Sequence, residues 1–206
     1  MKAVVTIVDY GMGNLSSIRN ALDYIGVPSV IASSPEKVAS SDRLILPGVG
    51  SFARAMSNLN ESGLTAALNR AVIDRRSPVL GICLGMQLLA DVGSEDGITP
   101  GLGWIPGEVV RLNEALVGKV PRIGFDSIRP ARADEALFAG LGTGADFYFV
   151  HSYHFVPAKA DVVIGTCDSG MAVVAAVGAE NIYGVQFHPE KSQANGIRLL
   201  RNFCRM

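Results

Sequence analysis

The sequence predicts an α/β fold in which a mixed, mostly parallel central sheet is covered by helices on both faces, giving three layers. Three observations predict it. Short apolar, β-branched runs alternate with segments of helical period over residues 3–92, the signature of parallel strands joined by crossover helices. Strand-like runs then follow one another from residue 107 to 189 with only turns between them. At the junction of one strand and one helix, "GICLG" (81–85) sets a cysteine between two glycines.

The elements follow in order. "AVVTIVDY" (3–10) is a buried strand and "GMGN" a turn. Leu15, Ile18, Leu22 and Ile25 recur at helical spacing, with Asn14 as N-cap and Gly26 as the stop. "PSVIAS" and "RLILPG" are further buried strands. Residues 51–76 are helical, broken near Ser62 and Gly63. "SPVLGIC" is a strand and "LGMQLLADV" (84–92) its helix. "GEVVRL", "RIGFDSIR", "DFYFVHSYHFVP", "DVVIGTCD", "MAVVAAVGA" and "IYGVQFHP" are strands of an antiparallel or mixed region. A terminal helix carries Ile197, Leu200 and Phe203 on one face. Residues 1–206 are expected to form one domain, with "DGITPGLG" near residue 100 as a weak internal boundary.

Composition narrows the function. With 18 Lys+Arg against 19 Asp+Glu and no basic stripe, nucleic acid is not an expected partner. No apolar run approaches the roughly 18 residues of a membrane span. Asp9 interrupts the apolar start, so it is read as a strand of a cytoplasmic protein rather than a signal peptide. Cys83, Cys167 and Cys204 are odd in number and lack a C-x-x-C pair, which argues against disulfides and zinc. The three histidines show no ligand spacing, so neither a metal nor a cofactor is expected.

The form G-x-Cys-x-G between strand and helix is that of a nucleophile elbow. The glycines are needed because the turn is tight, and the strained cysteine points out of the sheet. The start of the following helix offers free N–H groups and partial positive charge, both favouring a thiolate at Cys83. The N–H of Leu84 faces an oxyanion. A buried structural cysteine is the plain alternative, and a nucleophile needs a base. "GVQFHPEKS" supplies one. On an extended strand His188 and Glu190 share a face with Gln186, while Val185 and Phe187 pack inward. Pro189 ends the ladder, where α/β sites form. An imidazole oriented by a carboxylate is the base-plus-orienter pair of a triad. His151 and His154, three apart, face opposite sides of a strand and are read as structural or substrate-lining.

Two glycine turns remain. "LPGVGSF" (46–52) follows a strand, and Gly50 allows a close backbone approach. "DYGMGN" lacks the third glycine of a dinucleotide fingerprint, having Ser16 instead, and "VIASS" lacks its acid.

Taken together, "GICLGMQ" and "QFHPE" resemble the class I, or triad, glutamine amidotransferases. "DYGMGNLSSI", "LPGVGSFARAM", "GLGWIPGEV", "YFVHSY" and "GVQFHPEKSQ" extend the likeness over nearly the whole chain, toward the glutaminase subunits of imidazole glycerol phosphate synthases. The resemblance implies the class I amidotransferase fold and a Cys83, His188, Glu190 triad that hydrolyses glutamine to glutamate and ammonia. It implies oxyanion donors at the Val49 and Leu84 N–H groups. It implies glutamine-holding positions at Gly50, Gln87, Ser152 and Tyr153. It also implies a (β/α)8-barrel cyclase as heterodimer partner, which receives the ammonia in histidine biosynthesis. The chain departs from that pattern at "PRIGFD" (121–126), where the family commonly reads "PHMGWN", and at His154 in "HSYH". Arg122, Phe125 and Asp126 lie in a segment the family places near the partner. They leave open a paralogue that supplies ammonia to another synthase, such as one amidating a surface sugar. A free-standing γ-glutamyl cysteine hydrolase and an inactive binding module are the remaining readings.

Overall fold

The computed structural model describes residues 4–132, 134–142 and 144–206. The chain runs β1 (Val5–Val8), α1 (Leu15–Tyr24), β2 (Ser29–Ala32), α2 (Pro35–Ala39), β3 (Arg43–Leu46), α3 (Phe52–Glu61), α4 (Leu64–Asn69) and β4 (Val79–Ile82). It continues through α5 (Leu84–Gln87), β5 (Val92–Gly93), β6 (Thr99–Pro100), β7 (Gly107–Arg111), α6 (Glu114–Val117) and β8 (Arg122–Pro130). It closes with β9 (Asp146–His151), β10 (Tyr153–Pro157), β11 (Val163–Asp168), β12 (Ala172–Ala179), β13 (Ile182–Val185) and α7 (Gln193–Phe203).

Among the described residues the central sheet has nine strands in the order β2-β1-β3-β4-β13-β12-β11-β8-β9. The pairings from β2 to β13 are parallel and those from β13 to β9 antiparallel. The central parallel strands β1, β3 and β4 are buried along their whole length, as a sheet covered on both faces requires. One apolar core joins the sheet to α3 and α4 through Phe52, Leu59, Leu64 and Leu68. A second core, on the other face, takes Ile18 and Leu22 of α1 with Leu199, Leu200 and Phe203 of α7. A small sheet, β10-β7-β5-β6, stands beside the large one.

The local signals at α1 and α3 hold. The Asn14 side chain accepts from the Ser17 N–H, and Gly26 follows with φ +69°. Gly63, at φ +73°, separates α3 from α4.

Three sequence expectations need correction. The helix after Cys83 does not run to Val92 but ends at Gln87. The carbonyls of Leu88, Leu89, Ala90 and Asp91 accept instead from the N–H groups of Leu102, Trp104, Gly103 and Gly101. Backbone partners from 101–104 thus outcompete the helix ladder, and the same contacts pack residue 100 and its surroundings back onto the chain. The run 146–157 is not one strand: it breaks at Ser152, sending β9 to the large sheet and β10 to the small one. His151 and His154 therefore belong to different sheets. Finally, the strand carrying "VQFHP" ends at Val185, and Pro189–Lys191 form a 3-10 turn. His188 and Glu190 meet through that turn, not through strand alternation.

Candidate active site

Cys83 follows the last residue of β4, near the middle of the large sheet, with φ 54° and ψ −109°. That backbone conformation is costly for a residue with a Cβ, on the order of 1–3 kcal/mol. The neighbours enforce it. A Cβ on Gly81 would lie 2.6 Å from the Gly85 carbonyl oxygen, and one on Gly85 would overlap the Leu46 carbonyl. The Cys83 N–H is tied to the Val185 carbonyl of β13 at 2.8 Å, so the corner is anchored to the sheet. With only four residues in α5, little helix dipole is available at the sulfur. What remains is the local amide of Leu84. Among the described residues neither the Leu84 nor the Val49 N–H finds an acceptor.

His188 sits just past β13, its N–H on the Tyr148 carbonyl of β9 at 2.8 Å. Ser192 braces the turn: its Oγ donates to the His188 carbonyl at 2.6 Å and accepts from the Tyr148 N–H at 2.9 Å. Pro189 has no N–H to extend the ladder, and the turn brings Glu190 Oε1 to 2.8 Å from His188 Nδ1. Both side chains are almost fully buried, at 2% and 1% exposure. Nδ1 therefore carries a proton donated to Glu190, and Nε2, without a hydrogen-bond partner, is the nitrogen left to exchange a proton with the pocket. Burial pulls the His188 pKa down, but contact with Cys83 and Glu190 outweighs it and raises the group to about 9. Nε2 itself is buried and makes no hydrogen bond of normal geometry.

One cavity of about 240 Å³ collects these groups. Its lining includes Val49, Gly50, Cys83, Leu84, Gln87, Ser152, Tyr153 and His188, each singled out by sequence. Glu190 alone of the expected set stands behind the pocket, on the far side of His188. The volume is below the roughly 300 Å³ at which drug-sized pockets begin, and suits a single amino acid. The turn "PGVG" is held from beneath by Tyr10, whose hydroxyl donates to the Pro47 carbonyl at 2.6 Å. Burial, then the nearby Cys83, pushes the Tyr10 hydroxyl far above its ordinary pKa, so it stays protonated.

Sequence reasoning missed Glu95, Val150 and Gln186. Among the described residues Glu95 is the only carboxylate lining the cavity, and its Oε2 accepts from the Phe52 N–H at 2.8 Å. Val150 offers its carbonyl 3.9 Å from Cys83 Sγ. Gln186 is fully buried, with Nε2 3.7 Å from Cys83 Sγ. Glu95 lies in a turn between two-residue strands and carried no local signal. Gln186 was visible only as a neighbour of His188. His151 also lines the pocket, but its Nδ1 donates to the Tyr153 carbonyl at 2.9 Å. Burial above all, with charge at Arg122 and the other histidines against the Tyr153 hydrogen bond, pulls its pKa down to about 4. It is neutral at pH 7.

No group of three or more His, Cys, Asp or Glu among the described residues is arranged to hold a metal. A second cavity of about 280 Å³, between Ile25–Pro28 and Arg201–Arg205, contains Cys204 but no histidine. Burial, partly offset by Arg43, pushes that thiol up to about 11.

Fold and pocket together define a class: an α/β protein with a strained cysteine corner facing a carboxylate-oriented histidine. Residues 6–206 match the family Glutamine amidotransferase class-I, and the chain belongs to it. It is an enzyme with glutaminase activity. It is 47% identical over 199 residues to the imidazole glycerol phosphate synthase subunit HisH of Moorella thermoacetica, covering 97% of this chain and 93% of that one. It is 43% identical to the imidazole glycerol phosphate synthase subunit HisH 1 of Campylobacter jejuni, covering 98% of this chain and all of the relative. Among solved structures, PurLQS from Thermotoga maritima superposes with a TM-score of 0.79 at 16% identity, covering 100% of this chain and 99% of that chain. A structure described as a glutamine amidotransferase gives 0.74 at 21% identity, with 97% of each chain covered. At those identities the likeness is one of fold.

Proposed function

We propose that the chain is the glutaminase subunit of an imidazole glycerol phosphate synthase, working as one domain in the cytoplasm. The observation that carries the chemistry is the convergence of Cys83 and the His188–Glu190 pair on one amino-acid-sized cavity. Cys83 Sγ attacks the side-chain carbonyl carbon of glutamine as the thiolate, opposite the protonated His188. The Val49 and Leu84 N–H groups, free of other partners, receive the oxyanion. His188, protonated at neutral pH and held by Glu190, gives its Nε2 proton to the departing amine, so ammonia leaves and a thioester remains. The imidazole then takes a proton from water, which attacks the thioester and releases glutamate. Glu95 is placed to meet the substrate's α-ammonium, while Gly50, Gln87, Ser152 and Tyr153 hold its amino-acid end.

The acceptor of ammonia is a partner chain, a (β/α)8-barrel cyclase in a heterodimer. Two observations support a docking face next to the pocket. Ile123 and Phe125 on β8 are exposed at 62% and 49%, an unusual load of apolar surface for one strand. Across the ladder they pair with Val150 and Tyr148, and Val150 lines the pocket itself. A second reading, a paralogue serving another synthase, is favoured by "PRIGFD" in this face. The test is glutamate release from glutamine by the purified chain, alone and with the same organism's cyclase and its nucleotide ligand. A low basal rate raised strongly by both supports the histidine-pathway subunit. A rate indifferent to the cyclase favours the paralogue. Full activity without any partner leaves the free-standing hydrolase.

A further inference from the structure

A chain of buried amides leads from the substrate end of the pocket to the sulfur. The Tyr153 main-chain carbonyl accepts from Gln87 Nε2 at 2.9 Å and from His151 Nδ1 at 2.9 Å. The same Gln87 Nε2 donates to Gln186 Oε1 at 3.1 Å, and Gln186 Nε2 lies 3.7 Å from Cys83 Sγ. Gln87, His151 and Gln186 are 5%, 5% and 0% exposed, so these groups are largely shielded from bulk water.

The direction of this chain is dictated by its first member. A main-chain carbonyl can only accept, so Gln87 must turn its NH2 group toward Tyr153. The second hydrogen of that NH2 meets Gln186, which must therefore present its oxygen. Gln186 is then left with its own NH2 facing Cys83. Flipping either amide would set donor against donor or acceptor against acceptor in a buried site, at a cost of about 1–3 kcal/mol.

We propose that Gln186 is a positioning residue for Cys83: its side-chain N–H, oriented through Gln87 by the Tyr153 carbonyl, holds the sulfur and favours its anionic form. A donor aimed at sulfur stabilises the thiolate more than the thiol. The proposal rests on Cys83 being the nucleophile. It also gives Gln87 a defined polarity: with both its N–H groups engaged, Oε1 is what it offers an incoming amino acid, an acceptor suited to an ammonium.

The experiment follows the rate of Cys83 alkylation by iodoacetamide against pH in the full chain, read at the Cys83 peptide by mass spectrometry. Gln186→Met, similar in shape but without the donor, is expected to slow alkylation at pH 7 roughly tenfold. The rate is expected to match wild type at pH 10, above the ordinary pKa range of a thiol. Gln186→Glu slows it further at pH 7. Unchanged rates, or a slowing that persists equally at pH 10, would overturn the assignment, since the latter is loss of access. Should Gln186→Met not fold, Gln87→Met breaks the chain one step back and is judged by the same profile, with a smaller effect expected. Cys83→Ala assayed with glutamine separates the two ideas. If that variant still hydrolyses glutamine, the nucleophile reading fails. If it is inactive and the alkylation profile does not move, only the role of Gln186 falls.

Discussion

The two halves of the site are built in opposite ways. The Cys83 corner is a backbone device: φ 54° at the cysteine, with Gly81 and Gly85 leaving no room for a Cβ. The His188–Glu190 pair is a side-chain device: ordinary backbone in a short turn, and two ionisable groups shut away from water. The first half is rigid because sterics allow nothing else. The second is specific because a buried imidazole and carboxylate satisfy each other and little else is available. Damage to the first should therefore appear as loss of fold or of the nucleophile, and damage to the second as loss of rate and altered pH dependence.

That contrast can be broken at several points. Cys83→Ala removes the proposed nucleophile but not the corner; glutamate release is expected to fall by roughly 10⁴-fold or more, with the thermal midpoint near wild type. Turnover close to wild type would assign the chemistry elsewhere. His188→Asn should cost nearly as much rate, and Glu190→Gln clearly less, because in the proposed mechanism Glu190 orients and stabilises but transfers no proton. Equal losses, or a reversed order, would dissolve that division of roles. Gly85→Ala should act on stability instead, destabilising by more than about 3 kcal/mol as the new methyl meets the Leu46 carbonyl. A denaturant titration in which this variant tracks wild type would show the corner to be pliable.

The pH dependence sharpens the second half. His188 is raised to about 9 in the folded chain, so the stability it adds is fully present below about pH 6.5 and is lost as pH rises through 9. In the proposed mechanism the same deprotonation removes the proton needed by the leaving amine, and the alkaline limb of the rate profile is expected near pH 9. In Glu190→Gln that limb should move to lower pH. His151 gives the smallest effect and the opposite sign. Its pKa is lowered to about 4, so the stability of keeping it neutral is present above about 6.5 and is lost as pH falls toward 4. Unfolding measured between pH 7 and 4 should show a loss of up to about 3 kcal/mol, smaller in His151→Phe.

Much of this was legible without coordinates because it is local. A cysteine between glycines at a strand end, Asn14 before a helical period and Gly63 between two helices each act within a few residues. The parallel first half, rich in β-branched residues, was read for the same reason. What misled was competition from afar. "LGMQLLADV" has a helical pattern, yet residues 101–104 take the carbonyls that would have prolonged the helix. "FVHSYHFV" alternates like one strand, yet each half pairs with a different sheet.

The sequence by itself determined where a strained cysteine corner and a His-x-Glu pair fall, because both depend on particular residue types at fixed short spacings. Only the tertiary structure decided how they act together. The β4–β13 pairing ties the Cys83 corner beside the strand that leads to His188, across 105 positions of chain. The fold then seals His188 and Glu190 from water, and a carbonyl on β10 sets the polarity of two glutamine side chains. Burial and hydrogen-bond direction depend on everything packed around a group, and no short stretch of sequence contains that.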